Sequence, residues 1–230
     1  MQKATGNFNS ESGVGDARTL ARTYGEGCIA AHALDLIGDR WTLLIARELM
    51  LGAKRFGAIR AGVPGIATNM LAQRLEEMAA AGLVTRATLP PPASVMVYGL
   101  TEAGEGLWPI LKALCDWGVR QPGHDPRLFI SPTALMLSMR AMADRSGMPM
   151  TAGFAMEEER FDVRLGGGDY SVRRVVRPDG DLRFHGTANG LAALVYGRAG
   201  VGEAVAAGLG RVEGDLGMAQ QFVDRFRLPR

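Results

Sequence analysis

The chain has 230 residues, 47% of them hydrophobic and 22% charged, with 26 Lys and Arg against 24 Asp and Glu. This composition fits one to two globular domains, two being the better match to the length, and excludes a disordered or strongly charged polymer. Two cysteines make no disulfide framework, no run approaches a membrane span, and the polar N-terminus lacks the apolar core of a signal peptide, so a cytoplasmic chain with no membrane partner is expected.

Residues 1–23 read as a flexible arm. Apolar residues then recur at helical spacing over Cys28–Ile37, Gly38-Asp39 punctuates, and a second apolar run covers Trp41–Leu51. Arg55–Ala61 predicts a third short helix, which Gly62-Val63-Pro64-Gly65 cannot continue. A fourth runs from Ala67 to Ala81 with Leu71, Leu75 and Met78 on one face and Gly82 at its end. Two β-prone runs, Leu83–Leu89 and Val95–Leu100, flank the tip Pro90-Pro91-Pro92-Ala93-Ser94 and predict a hairpin. One further helix opens at Thr101-Glu102-Ala103-Gly104 and runs through Leu107, Ile110, Leu111, Leu114 and Trp117.

A helix held across a short Pro/Gly turn from its predecessor has the build of a recognition helix for the DNA major groove. At 100° per residue, Asn69 and Gln73 lie about 160° and 200° from Leu71, opposite the apolar stripe, and their amides can both donate to and accept from adenine. Outward amides are equally compatible with a solvated face. Between Arg40 and Arg86 the basic residues Arg40, Arg47, Lys54, Arg55, Arg60, Arg74 and Arg86 face only Glu48, Glu76 and Glu77. This excess suits phosphates, although helical pairs such as Arg74 with Glu77 also account for it.

The segments IGDRWTLLI, ARELMLG, KRFGAI, MLAQRLEEM, AAGLVTR and LTEAG, between Cys28 and Trp117, resemble the HxlR-type winged helix-turn-helix regulators over residues 24–120. The resemblance implies a homodimer held by the first and last helices of the unit, bound to double-stranded DNA with half-sites ~34 Å apart. It implies DNA contacts by Thr68, Asn69, Gln73 and Arg74, with Arg55 and Arg86 on phosphates. The chain departs from the family pattern at Asn69, where a basic residue is common, at Ala67, where serine is common, and in a hairpin tip without Arg or Lys. Cys28 stands where some members sense oxidants, which requires a thiolate activated by positive charge or a helix N-terminus. Inert packing in a dimer helix is the other reading of Cys28, and Cys115 reads as core or dimer contact.

Gln121–Ile130 reads as a linker, and residues 131–230 as a second, α+β domain. It is expected to hold a helix over Pro132–Arg145, strands at Met156–Leu165, Tyr170–Val176 and Leu182–Gly186, helices Ala188–Tyr196 and Gly202–Ala207, and a last helix Asp215–Phe226 capped by Asp215. Gly166-Gly167-Gly168-Asp169 lacks the Lys-Ser/Thr of a phosphate loop and reads as a hairpin turn. His32, His124 and His185 are scattered, with no nucleophile–base pair, metal spacing or cofactor motif, so an enzyme is not expected. FDVRLGGGDYSVRR, DLRFHGTANGLAALVYGRA and AVAAGLGRVEGDLGMAQQFVDRF resemble the sterol carrier protein 2 fold. That resemblance implies a cavity for a hydrophobic or aromatic effector, with Phe154, Phe161, Phe184, Leu191, Leu194 and Phe222 as lining, or equally as ordinary core.

The expected fold class is thus α+β, a winged helix-turn-helix domain followed by a smaller α+β domain. The expected function is a dimeric DNA-binding regulator under an apolar effector. A thiol sensor acting through Cys28 and a hydrophobic-ligand carrier dimerised by its winged helix are the alternatives.

Overall fold

A computed structural model describes residues 23–228. The arm expected at 1–23 lies almost wholly outside them. The described residues divide into two compact units at the Gly38–Asp39 boundary. The linker expected at 121–130 therefore runs inside the second unit.

In the first unit, α1 (Ile29–Ile37) starts after the extended Cys28 at its N-cap. Asp35 of this helix accepts hydrogen bonds from Thr23 Oγ1 at 3.0 Å and from the Tyr24 amide at 2.9 Å, which folds the preceding segment back along it.

The second unit opens with α2 (Thr42–Leu49), α3 (Phe56–Gly62) and α4 (Thr68–Ala80). Val63 and Ile66 are buried within the turn between α3 and α4, and Gly65 takes a φ of +83°. That backbone reversal suits a residue without Cβ. The α4 stripe of Leu71, Leu75 and Met78 is buried as its spacing predicts. The helix ends in a Schellman motif: the Leu83 amide donates to the Met78 carbonyl, and Gly82, at φ +70°, donates to Ala79. Strands β1 (Val84–Thr88) and β2 (Met96–Leu100) form the antiparallel wing. Lys54 extends it by two backbone hydrogen bonds with Tyr98, at 2.8 and 2.9 Å.

The single helix expected after the wing is two, α5 (Glu102–Glu105) and α6 (Trp108–Gly118). Pro109 has no amide to donate to the Glu105 carbonyl and its ring crowds that turn, so the helix breaks at Gly106-Leu107.

The remainder holds α7 (Pro132–Met142), β3 (Met150–Met156), β4 (Glu159–Gly166), β5 (Asp169–Arg174), β6 (Leu182–Gly186), α8 (Ala188–Tyr196), α9 (Val201–Ala206), β7 (Arg211–Glu213) and α10 (Leu216–Val223). Five strands make one sheet in the order β5-β4-β3-β6-β7, with β3 and β6 parallel and the other pairs antiparallel. The strand β3 is absent from the sequence expectation. Its small residues carry little strand signal, and its turn is made at Glu157, which takes a φ of +45° without glycine. The triple glycine forms the expected β4–β5 turn, and Asp215 caps α10 by accepting from the Met218 amide at 2.8 Å.

Candidate nucleic-acid interface

Thr68, Asn69 and Gln73 are exposed on α4, on the side away from Leu71, Leu75 and Met78. Gln73 donates its amide to Glu77 at 2.8 Å, which leaves its carbonyl oxygen available to a base edge. Thr68 is the first helical residue rather than a cap. The N-cap is Ala67, in extended conformation and with no side-chain hydrogen bond, so side chains do not satisfy the first-turn amides.

Arg74 departs from the expectation of a DNA contact. Its side chain is 13% exposed and its guanidinium is held by Asp39 at 2.8 Å and by Glu77. This position flanks the buried stripe, so the arginine braces α4 against the segment ahead of α2. Arg55, at the N-cap of α3, is exposed and has no acidic partner among the described residues. Arg86 is exposed on β1, lies 5.7 Å from the Tyr98 ring centroid, and only loosely faces Glu76 at 3.8 Å.

Behind this surface lies a buried ionic cluster that local sequence patterns did not reveal. The Glu48 carboxylate is fully buried in α2. It accepts from Arg47 at 2.9 and 3.1 Å, from Lys54 Nζ at 2.8 Å and from Ser131 Oγ at 2.6 Å. Lys54 Nζ also reaches Glu159 of β4 at 2.8 Å, and Arg174 of β5 donates to Glu159 from Nε at 3.1 Å. Arg47 closes the cluster on the other side by donating to the Gly62 carbonyl at 2.9 Å. Gly62 is required there, because a Cβ would sit 2.2 Å from Glu48 Oε2. One legible signal existed: in a helical projection Glu48 falls on the same side as the buried Ile45 and Leu49. Arg47 and Lys54 are near it in sequence, but Ser131 and, through Lys54, Glu159 come from far along the chain and gave no such sign.

Cys28 is exposed at the start of α1, and the N–H groups of Ala31 and then Ala30 hold its thiol below the ordinary cysteine range. Burial, followed by the Asp116 charge, pushes the Cys115 thiol up.

Phe154, Phe161, Phe184, Leu191, Leu194 and Phe222 are all fully buried in one continuous core. Register aligns Phe161, Phe154 and Phe184 across β4, β3 and β6. Phe154 and Phe184 stack at 4.9 Å, and Phe222 from α10 covers them at 6.2 and 5.8 Å. These side chains occupy the space between sheet and helices themselves, so a guest among them would have to displace the packing.

The helix, tight turn, exposed-amide helix and wing define a winged helix-turn-helix protein. The profile of the HxlR-like helix-turn-helix family matches residues 36–125. An uncharacterized HTH-type transcriptional regulator of Methanothermobacter thermautotrophicus is 36% identical over 97 residues, which are 42% of this chain and 74% of that one. The Bacillus subtilis protein YvaP, also named an uncharacterized HTH-type transcriptional regulator, is 35% identical over 85 residues, 37% of this chain and 79% of its own. Among solved structures, the reduced form of the transcriptional regulator YodB from B. subtilis is similar at 36% identity, covering 42% of this chain and 98% of that one, with a TM-score of 0.38. The chain belongs to the HxlR-like helix-turn-helix family, a family of transcriptional regulators and not of enzymes.

Proposed function

We propose that this regulator binds double-stranded DNA as a homodimer, with α4 in the major groove, Asn69 and Gln73 reading base edges, and Thr68, Arg55 and Arg86 on the backbone. The observation that carries this reading is the exposed amide pair on the face of α4 opposite its buried stripe. The uncapped first turn of α4 adds backbone amides suited to a phosphate. Exposed apolar residues support dimerisation: Ile110, Leu114 and Trp117 follow one side of α6, and Ile29, Leu34 and Leu36 are exposed on α1. Gel shifts on the DNA flanking its own gene, titrated with salt, test the assignment. Asn69→Ala or Gln73→Ala should cost ~1–3 kcal/mol and relax sequence preference, whereas Arg55→Ala should weaken all sequences alike and lower the salt slope by about 1. Wild-type binding by both amide variants refutes the reading.

The C-terminal domain is, in this proposal, the sensory part. A sheet packed against helices supports its likeness to the sterol carrier protein 2 fold, and an effector bound to it changes the geometry of the two recognition helices. Thiol sensing is a second reading, favoured by the exposure and lowered thiol pKa of Cys28. Oxidant-induced release of DNA that persists in Cys28→Ser excludes it.

A further inference from the structure

The strongest unused feature of the second unit is a cleft between its winged helix and its sheet. It is an open depression of about 460 Å³, walled by Met50 and Leu51 just after α2, by Arg140 of α7, and by Val172, Arg173 and Arg174 of β5. The three arginines among its walls differ in what their guanidiniums already hold. Arg173 reaches Asp162 at 3.0 Å and Arg174 reaches Glu159 at 2.9 Å. Arg140 makes no direct ion pair among the described residues, the Asp169 carboxylate acting on it only through its charge. Its guanidinium lies 4.2 Å from the ring centroid of Trp108, and burial, then the like charge of Arg145, disfavours its charged form. A partly buried cation backed by an aromatic face and opening on a cleft leaves its hydrogen-bonding edge free for an anion in direct contact.

We propose that this cleft binds a small carboxylate with an apolar body, the carboxylate on Arg140 and the body along Met50, Leu51 and Val172. Guanidinium and carboxylate match as a planar, doubly hydrogen-bonded pair, and the three apolar side chains supply the area that a bare inorganic anion would not use. The site deepens the effector reading above and rests on it for the link to DNA. Arg174 lines the cleft and is tied to Glu159, Glu159 to Lys54, Lys54 to Glu48, Glu48 to Arg47, and Arg47 to the Gly62 carbonyl at the end of α3. Arg174, which lines the same cleft as Arg140, thus stands at one end of an unbroken series of polar contacts that ends beside the turn into α4.

Calorimetry on the full chain with sodium octanoate, octanamide and inorganic phosphate tests the site. Octanoate should bind, with octanamide and phosphate at least about tenfold weaker. Arg140→Gln should lose octanoate to the same extent, and Arg140→Lys should keep part of it. Absence of octanoate binding, equal binding of octanamide or phosphate, or undiminished binding by Arg140→Gln each overturns the proposal. Because Arg140 also packs on Trp108, tryptophan emission gives a check that needs no change at Arg140: octanoate should shift it in the wild type and not in Trp108→Phe, and a shift that survives Trp108→Phe counts against the site. Gel shifts with and without octanoate keep the two readings apart. Octanoate bound without effect on DNA affinity retains the site and removes effector control. A chain that binds octanoate but no DNA retains the site and removes the regulator reading.

Discussion

Glu48 is a carboxylate in a place where water cannot reach it, and it is tolerated because Arg47, Lys54 and Ser131 fill its lone pairs. Removing one member leaves a buried charge with fewer partners than its burial requires. Lys54→Met should lower unfolding stability by ~3–5 kcal/mol in a urea titration, since Glu48 and Glu159 would then face each other without the ammonium between them. A loss within experimental error would mean the cluster is solvated and not structural. Cys28 yields a prediction about pH. Its lowered pKa populates the thiolate further down the pH scale, whereas the raised pKa of Cys115 keeps that thiol protonated to higher pH. Iodoacetamide alkylation followed against pH should therefore reach half its plateau at lower pH in Cys115→Ser than in Cys28→Ser, and coincident midpoints would contradict the assignment. The exposure of Asn69 and Gln73 was legible from spacing alone. The diversion of Arg74 to Asp39 was not, because Asp39 is 35 residues away.

At the scale of elements, the recognition helix is defined more firmly at its end than at its start. Its C-terminus has both Schellman hydrogen bonds and a left-handed glycine, while Ala67 supplies no side-chain cap. Gly82→Ala should destabilise the protein by about 1 kcal/mol through the left-handed backbone it would have to keep, as measured by denaturant midpoint. No change in midpoint would show that the turn relaxes freely. Helices and hairpins with local punctuation were readable within about three residues of their bounds, the C-terminal ends of α7 and α10 and the start of β4 being the widest misses. The strand β3 escaped because its glycine answers a distant demand. A Cβ at Gly153 would lie 2.8 Å from the Pro178 side chain, which crosses over that strand. The break between α5 and α6 was open to inspection, since Pro109 alone dictates it.

For the whole molecule, the winged helix and the sheet form one compact unit from residue 39 onward, joined by charged side chains at the centre and by Leu51 and Ile130 packed against the aromatic core. Association with a second copy is expected at the apolar side of α6. Trp117 is 65% exposed, so Trp117→Glu should yield a monomer in sedimentation equilibrium while leaving the fold intact by circular dichroism. A dimer undisturbed by that charge would move the interface elsewhere. The sequence by itself determined the order of helices and wing and the outward amides of α4, because these rest on periodicity and punctuation, and it carried the class of regulator through the resemblance of its segments to a known family. Only the tertiary structure decided that Arg74 is a brace, that the six expected cavity residues pack on one another, and that Glu48, Lys54, Glu159 and Arg174 meet. Those outcomes depend on which distant side chains arrive at the same desolvated place, and no local spacing encodes that arrival.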